Sequence, residues 1–206
     1  LSDDRMRHAK SGNWWETAPH RALANNSVSY TEKPDMETFL REWTALVESK
    51  SGERGIFNRQ ASKKQAAKND RRDTEWEFGT NPCSEIILRP YQFCNLSEVV
   101  VRVTDDLKSL SNKVRLATII GTLQSSLTKF PYLRKVWQNN TEEERLLGVS
   151  LTGIMDNPLL TAKNKGLAQT LDHLRLVAVD TNKEWSERLG VQQSTAITCV
   201  KPSGTV

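Results

Sequence analysis

The sequence predicts an α/β fold with parallel strands, and three features of its patterning carry that prediction. Apolar or β-branched runs of strand length recur along the chain, long stretches with helical apolar spacing separate them, and turn formers mark the junctions.

Residues 1–30 read as loop and short elements, with Trp14, Trp15 and the cluster Asn25-Asn26-Ser27 ahead of a short apolar stretch. Pro34-Asp35 supplies a helix start. Met36, Phe39, Leu40, Trp43, Leu46 and Val47 then fall on one face at the 3.6-residue period, and Gly52 is expected to end the helical region. Gly55-Ile56-Phe57-Asn58 is a candidate short strand. Arg59 to Asp70 is polar and rich in Ala, Lys and Gln, as suits a surface helix or a connector. The turn formers Gly79, Asn81 and Pro82 lead into the apolar run Ile86-Ile87-Leu88, and Val99-Val100-Val101-Arg102-Val103 is a β-branched run of the same kind.

From Asp105 the pattern turns helical. Asp105-Asp106 caps a segment reaching about Phe130, with Leu107, Leu110, Val114, Ala117, Ile120 and Leu123 as its stripe. Thr141 followed by Glu142, Glu143 and Glu144 reads as a capping-box start, predicting a helix that carries Leu146, Leu147, Val149, Leu151 and Ile154. Another helix runs from about Leu167 to Leu189 and stops at Gly190. Thr195-Ala196-Ile197-Thr198-Cys199-Val200 is a final strand running into Lys201-Pro202-Ser203-Gly204-Thr205.

A chain of 206 residues can build one sizeable core, and 37% hydrophobic against 26% charged residues is globular but rather polar. No apolar run approaches the roughly 18 residues of a membrane span, and the acidic opening Leu1-Ser2-Asp3-Asp4 is unlike a secretory signal, so a cytoplasmic location is expected. The missing initiator Met and the stop just after a Gly turn predict a piece of a longer chain. Three cysteines, an odd number, argue for reduced thiols rather than a disulfide framework.

The net charge of +4 is concentrated between Arg59 and Arg72, where Arg59, Lys63, Lys64, Lys68, Arg71 and Arg72 face only Asp70. A solvated helix face followed by a loop is the first reading, and a site for an anionic ligand the second. No aromatics interleave with these charges, so the stacking platform of a single-strand binder is missing and nucleic acid is not expected as a partner.

Three segments carry chemistry. In Asn81-Pro82-Cys83-Ser84-Glu85, an extended loop would project residues 81, 83 and 85 to one side, bringing an amide, a thiol and a carboxylate together. The thiol suits a nucleophile or hydrogen-atom donor, the carboxylate a general base and the amide a hydroxyl binder, although a buried cysteine is ordinarily an inert small hydrophobe. Cys94 lies 11 residues further on (94 − 83), which is not a zinc-ligand spacing, and no metal site is predicted. Pro202-Ser203-Gly204-Thr205, after a strand, offers the N–H groups and hydroxyls of a phosphate cradle but is not a P-loop.

Taken together, these segments resemble the catalytic subunit of ribonucleotide reductases, most closely the adenosylcobalamin-dependent class. Asn81-Pro82-Cys83-Ser84-Glu85-Ile86 is similar to that family's finger loop, Phe93-Cys94-Asn95-Leu96 to the strand bearing a reducing cysteine, and Pro202-Ser203-Gly204-Thr205 to the substrate-phosphate loop. Gly148-Val149-Ser150-Leu151-Thr152-Gly153 resembles the family's "G-V-x-G-L" helix region. Ala22-Leu23-Ala24-Asn25-Asn26-Ser27-Val28 and Ser51-Gly52-Glu53-Arg54-Gly55-Ile56-Phe57-Asn58 also resemble the cobalamin class, and the matches occur in family order.

The resemblance implies a portion of a ten-stranded α/β barrel with a central finger loop and a helix-rich second half. Residues 1–206 would be an incomplete catalytic barrel domain: an N-terminal segment over residues 1–80 with the basic connector 59–72, the finger loop and redox-cysteine strand 81–103, a helical region 104–194, and a strand and phosphate loop 195–206. It also implies adenosylcobalamin as cofactor, an external dithiol reductant such as thioredoxin, a ribonucleotide substrate and, in a full-length protein, an allosteric deoxynucleotide. Cys83 would become a thiyl radical, Glu85 would take the 3′-hydroxyl proton, Asn81 would bind the sugar, and Cys94 with a second cysteine would supply the reducing electrons. That second cysteine lies upstream in the family and has no counterpart here; neither has the family's C-terminal Cys pair, and Cys199 reads as a core residue. The fragment alone is therefore expected to be inactive. Two other readings stand beside this one: another barrel enzyme with a thiyl cysteine, such as a glycyl-radical enzyme, and a non-catalytic nucleotide- or nucleic-acid-binding module.

Overall fold

The computed structural model describes residues 4–50, 54–68 and 70–201. The chain divides into two compact units, Leu1–Arg89 and Pro90–Val206. Parallel strand pairs joined through helices occur in both, so the mixed α/β class expected from the patterning is observed.

In the first unit, short helices α1 (Asp4–Arg7) and α2 (Trp14–Thr17) and a 3₁₀ turn, Pro19–Arg21, precede strand β1 (Ser27–Tyr30). Helix α3 (Met36–Ser49) then crosses to strand β2 (Gly55–Asn58), which pairs in parallel with β1 from Ser27↔Gly55 to Tyr30↔Asn58. Asp35 caps α3 by accepting from Thr38 N at 2.8 Å, as Pro34-Asp35 predicts. The helix ends at Lys50, in the left-handed conformation, while the expected stop at Gly52 lies outside the described residues.

The expected core face of α3 is not its buried face. Met36, Leu40, Trp43 and Val47 are exposed, and Glu42 and Ala45 are buried instead. A charge cluster determines this. The Glu42 carboxylate, 1% exposed, accepts from Arg54 Nε at 2.9 Å and from Arg7 at 3.1 Å, so ion pairing rather than the apolar stripe orients the helix. Helix α4 (Arg59–Ala67) follows, capped by Asn58, whose side chain accepts from Ala61 N at 3.0 Å. It buries Ser62 and Ala66 and exposes Lys64, with Lys68 exposed at its C-terminal cap, a solvated face as first read. Strands β3 (Gly79–Thr80) and β4 (Ile87–Leu88) close the unit as an antiparallel hairpin.

The second unit is built on strands β5 (Asn95–Val100) and β6 (Leu147–Thr152), parallel in the register Asn95↔Leu147 to Val100↔Thr152. The extended segment 195–199 runs parallel along the far edge of β6, with Leu147 N donating to Ala196 O at 2.9 Å and Cys199 N to Val149 O at 3.1 Å. Helices α5 (Leu107–Ser125) and α7 (Leu167–Leu189) pack on these strands, and Val99, Val101, Leu110, Val114, Leu147, Val149, Leu174, Ala178 and Ile197 form the core. Asp106 caps α5 by accepting from Ser109 N at 2.7 Å, and Gly190, at φ 65°, ends α7 at the predicted residue.

Several expectations are corrected in this unit. Thr141 does not start a helix: it lies in the last turn of α6 (Lys135–Glu144), which Arg145 ends at φ 44°. Residues 147–152 are then the strand β6, not the predicted helix. Their apolar positions 147, 149 and 151 follow a period of two, and Gly148 and Val149 disfavour a helix. The run predicted as a strand at Val99–Val103 begins earlier and ends at Val100, and α5 stops at Ser125 rather than near Phe130. Ile120 and Leu123, assigned to the α5 core stripe, are exposed, because the buried side continues through Thr118, Gly121 and Thr122. Cys199 is half-buried rather than a core residue.

Candidate active site

The Cys83 segment is the tip of the β3–β4 hairpin. Asn81 N donates to Ile86 O at 3.3 Å, Ser84 N donates to Asn81 O at 3.0 Å, and Ser84 takes the left-handed conformation at φ 65°. The chain reverses through residues 81–84 instead of running extended, so strand alternation does not decide where residues 81, 83 and 85 project. The reason lies in Asn81 itself: its Oδ1 accepts from Ile86 N at 3.0 Å, closing the loop from inside. That bond uses the amide oxygen and leaves the two Nδ2 protons, the half of the group suited to a hydroxyl oxygen.

Cys83, at the tip, is exposed. Glu85 is half-buried, and its Oε2 is a buried oxygen with no hydrogen-bond partner. A carboxylate oxygen removed from water without a donor is costly to hold. Such an atom two residues from an accessible thiol is the feature of this hairpin least explained by folding alone.

Residues remote in sequence grip the hairpin. Asn25 Nδ2 donates to Pro82 O at 3.0 Å, Arg59 Nε to Phe78 O at 2.8 Å and an Arg72 amine to Ile87 O at 3.0 Å. The guanidinium of Arg72 also lies over the Phe78 ring at 4.9 Å. Two cations of the basic 59–72 stretch thus serve backbone carbonyls, which weakens the anionic-ligand reading of that stretch.

Cys94, in the second unit, is half-buried and immediately precedes β5. The turn that delivers it is fastened to α6. Asn140 Nδ2 donates to Pro90 O at 2.9 Å and Tyr91 O at 3.2 Å, while Gln92, buried, donates to Asn140 O and to the buried Glu144 carboxylate. Phe93 stacks on Trp137 with ring centroids 4.7 Å apart. Pro202, Ser203, Gly204 and Thr205 lie outside the described residues. The extended segment leading to them, which forms a single bridge at Thr198 rather than the expected strand, is held up to Lys201, whose N–H donates to Ser150 Oγ at 3.2 Å.

Sequence reasoning misses Asn25, Arg59, Arg72, Gln92, Asn140 and Glu144 as supports of these segments. Asn25 stands out only in the cluster Asn25-Asn26-Ser27 and its family-like segment, and Glu144 only in an acidic helix start. Nothing in local pattern announces a bond to a carbonyl 57 residues away.

Comparison with known proteins gives these placements their context. The chain is 30% identical over 219 residues to the adenosylcobalamin-dependent ribonucleoside-triphosphate reductase of Lacticaseibacillus paracasei, a match covering 91% of the chain. The chain is a homologue of the adenosylcobalamin-dependent reductases. Those of Lactobacillus gasseri and Lactobacillus helveticus match at 29% and 30% identity over the same share of the chain. The chain spans 28% of the length of these reductases. A crystal structure of a B12-dependent, class II ribonucleotide reductase superposes with a TM-score of 0.65 at 24% identity, covering 98% of this chain and 31% of that one, and establishes likeness of fold. No protein-family model matches the chain.

Proposed function

We propose that this chain is the portion of an adenosylcobalamin-dependent ribonucleotide reductase that carries the radical-bearing hairpin, one reducing cysteine and the loop toward the substrate phosphates. Its two units would belong to a ten-stranded α/β barrel with the β3–β4 hairpin as its central finger, residues 1–206 being an incomplete catalytic domain. The observation that carries the reading is that one turn holds, two residues apart, an exposed Cys83 thiol and the buried, unpartnered Oε2 of Glu85.

Adenosylcobalamin, when bound, would supply the radical that accepts the hydrogen atom of the Cys83 thiol and leaves a thiyl. The fit asked of this chain is an accessible sulfur on a held backbone, and the exposed tip of a hairpin tied by Asn25 meets it. Cys83 then takes the hydrogen atom from C3′ of the ribose. Glu85 accepts the 3′-hydroxyl proton, a role open to an oxygen with no donor of its own. Asn81 Nδ2 donates to a sugar hydroxyl. Loss of the 2′-hydroxyl as water, its proton coming from one of the reducing thiols, leaves a sugar radical that Cys94 and a partner cysteine reduce by two electrons, their sulfurs joining as a disulfide that a dithiol such as thioredoxin reopens. The Cys83 thiol then returns its hydrogen atom to C3′, giving the 2′-deoxy product and a thiyl again. Residues 202–205 would bind the substrate phosphates, and an allosteric deoxynucleotide would act on the complete enzyme. The enzyme would work in the cytoplasm, where its nucleotide substrates are. No described helix is long and apolar enough to cross a membrane.

The test replaces the matching segment of the Lacticaseibacillus paracasei reductase with these 206 residues and follows adenosylcobalamin-dependent formation of 2′-deoxyribonucleotide. Product should form, Cys83→Ser should abolish it with nucleotide affinity retained, and Glu85→Gln should slow it by about 10²-fold or more. A graft with native circular dichroism and native nucleotide affinity that reduces nothing overturns the assignment.

A further inference from the structure

The β3–β4 hairpin has too little ladder to hold its own tip. Two residues of each strand pair, Gly79↔Leu88 and Thr80↔Ile87, and hairpins with so few cross-strand bonds are marginal in water. Yet the tip is well defined, with a left-handed Ser84 and an internal bond from Ile86 N to Asn81 Oδ1. Three side chains from outside the ladder bond the main chain of the hairpin. Arg59 grips the carbonyl of Phe78, the residue before β3, at 2.8 Å. Arg72 grips the carbonyl of Ile87, in β4, at 3.0 Å. Asn25 grips the carbonyl of Pro82, one residue before Cys83, at 3.0 Å.

We propose that Asn25, Arg59 and Arg72 are positioning residues that fix the Cys83 turn, one at the tip and one on each side of the base. The inference rests on the reductase reading for its functional consequence, though the clamp itself is independent of it. The chemistry of the donors fits. Each arginine is itself anchored: Arg59 through a second amine to Thr31 Oγ1 at 2.7 Å, and Arg72 by its face against Phe78, whose side chain is fully buried. A planar, permanently charged donor locked on two sides holds a carbonyl in one direction, which a lysine on the same stem does not. The clamp also accounts for the two ends of the basic stretch 59–72, whose positive charge is turned onto main-chain oxygens. Hydrogen-atom transfer needs the sulfur close to one C–H bond, and a displacement of about 1 Å can cost roughly 10²-fold in rate.

The experiment has two arms. In the 206-residue chain, amide hydrogen exchange is read at Ser84 and Ile86, two of the tip amides bonded within the loop, for wild type, Asn25→Asp, Arg59→Lys and Arg72→Lys. Asn25→Asp keeps the side chain's shape and replaces its donor. It should speed exchange at Ser84 and Ile86 by about tenfold or more, with the arginine variants smaller, while amides of α7 stay unchanged. Unchanged tip exchange in all three variants overturns the clamp. In the grafted reductase the same substitutions should lower kcat by about 10–100-fold with nucleotide KM within about twofold. A loosened tip with unaltered kcat overturns the positioning role. A graft with the native hairpin that never reduces a nucleotide counts against the reductase reading instead, and the exchange arm then decides the clamp alone.

Discussion

Asn182 and Ser194 hold each other reciprocally: Asn182 Nδ2 donates to Ser194 Oγ at 3.1 Å, and Ser194 N donates to Asn182 Oδ1 at 3.0 Å. Both are essentially inaccessible to solvent, and Asn182 Nδ2 also donates to Thr122 Oγ1 at 2.9 Å. One amide therefore joins α5, α7 and the residue that leads into the 195–199 segment. Asn182→Ala should cost about 2–4 kcal/mol, since it takes the Asn182 acceptor from the buried Ser194 N–H and one donor from each of two buried hydroxyls. Urea denaturation of the chain measures it, and a loss below about 1 kcal/mol would show the network to be dispensable.

The Glu42 cluster makes a prediction confined to the first unit. Removing Arg54 leaves the buried carboxylate with one less partner, so Arg54→Met should destabilise by about 3 kcal/mol. The double variant Glu42→Leu with Arg54→Met should recover much of that loss. Double-mutant analysis of thermal unfolding tests this, and strict additivity would contradict the pairing.

Gly153 follows β6 at φ 74°, and a Cβ there would lie 2.7 Å from the main-chain oxygen of Val101. Gly153→Ala should therefore cost about 1–3 kcal/mol, from backbone strain and displaced main chain together. Equal Tm values for wild type and variant would refute it.

Acid should act on the loop after β5. Asp105 accepts from Lys113 Nζ at 2.6 Å, from Arg102 N at 2.7 Å and from Ser109 Oγ, and these donors, Lys113 foremost, hold its carboxyl below its ordinary value of 3.8. A depressed carboxyl contributes its full stabilisation above that ordinary value and loses it as pH falls through the lowered one. Asp105→Asn should therefore flatten the acid limb of the stability curve below about pH 4 and lower the plateau above it. An acid limb identical to wild type would rule the contribution out.

Local chemistry makes much of the fold legible. Asp35 and Asp106 announce their helices because a cap is a bond within a few residues, and α7 runs to Gly190 because a left-handed stop is encoded by the stopping residue. Strand β6 is hidden because Thr141 and the three glutamates imitate a helix start, whereas the pairing that makes 147–152 a strand is with residues around 95–100. The buried face of α3 is hidden too, because a buried Glu42 is intelligible only once Arg7 and Arg54 are placed beside it. In the candidate site the residue types of the Cys83 loop are plain from the sequence, but the turn that presents them depends on Asn81 bonding inward and Asn25 bonding from far upstream.

The parallel pairing of β5 with β6 sets an order of assembly. Asn95 meets Leu147, 52 positions later (147 − 95), and the third strand joins only near residue 198. On a ribosome, the strand that follows Cys94 emerges and waits for both neighbours, while β1 and β2, 28 positions apart (55 − 27), can already have met. Non-local pairings of this kind are slow to close. The thiol at position 94 therefore gains its fixed surroundings only once residues near 198 have been made, after the hairpin bearing Cys83 has had its own clamps within reach.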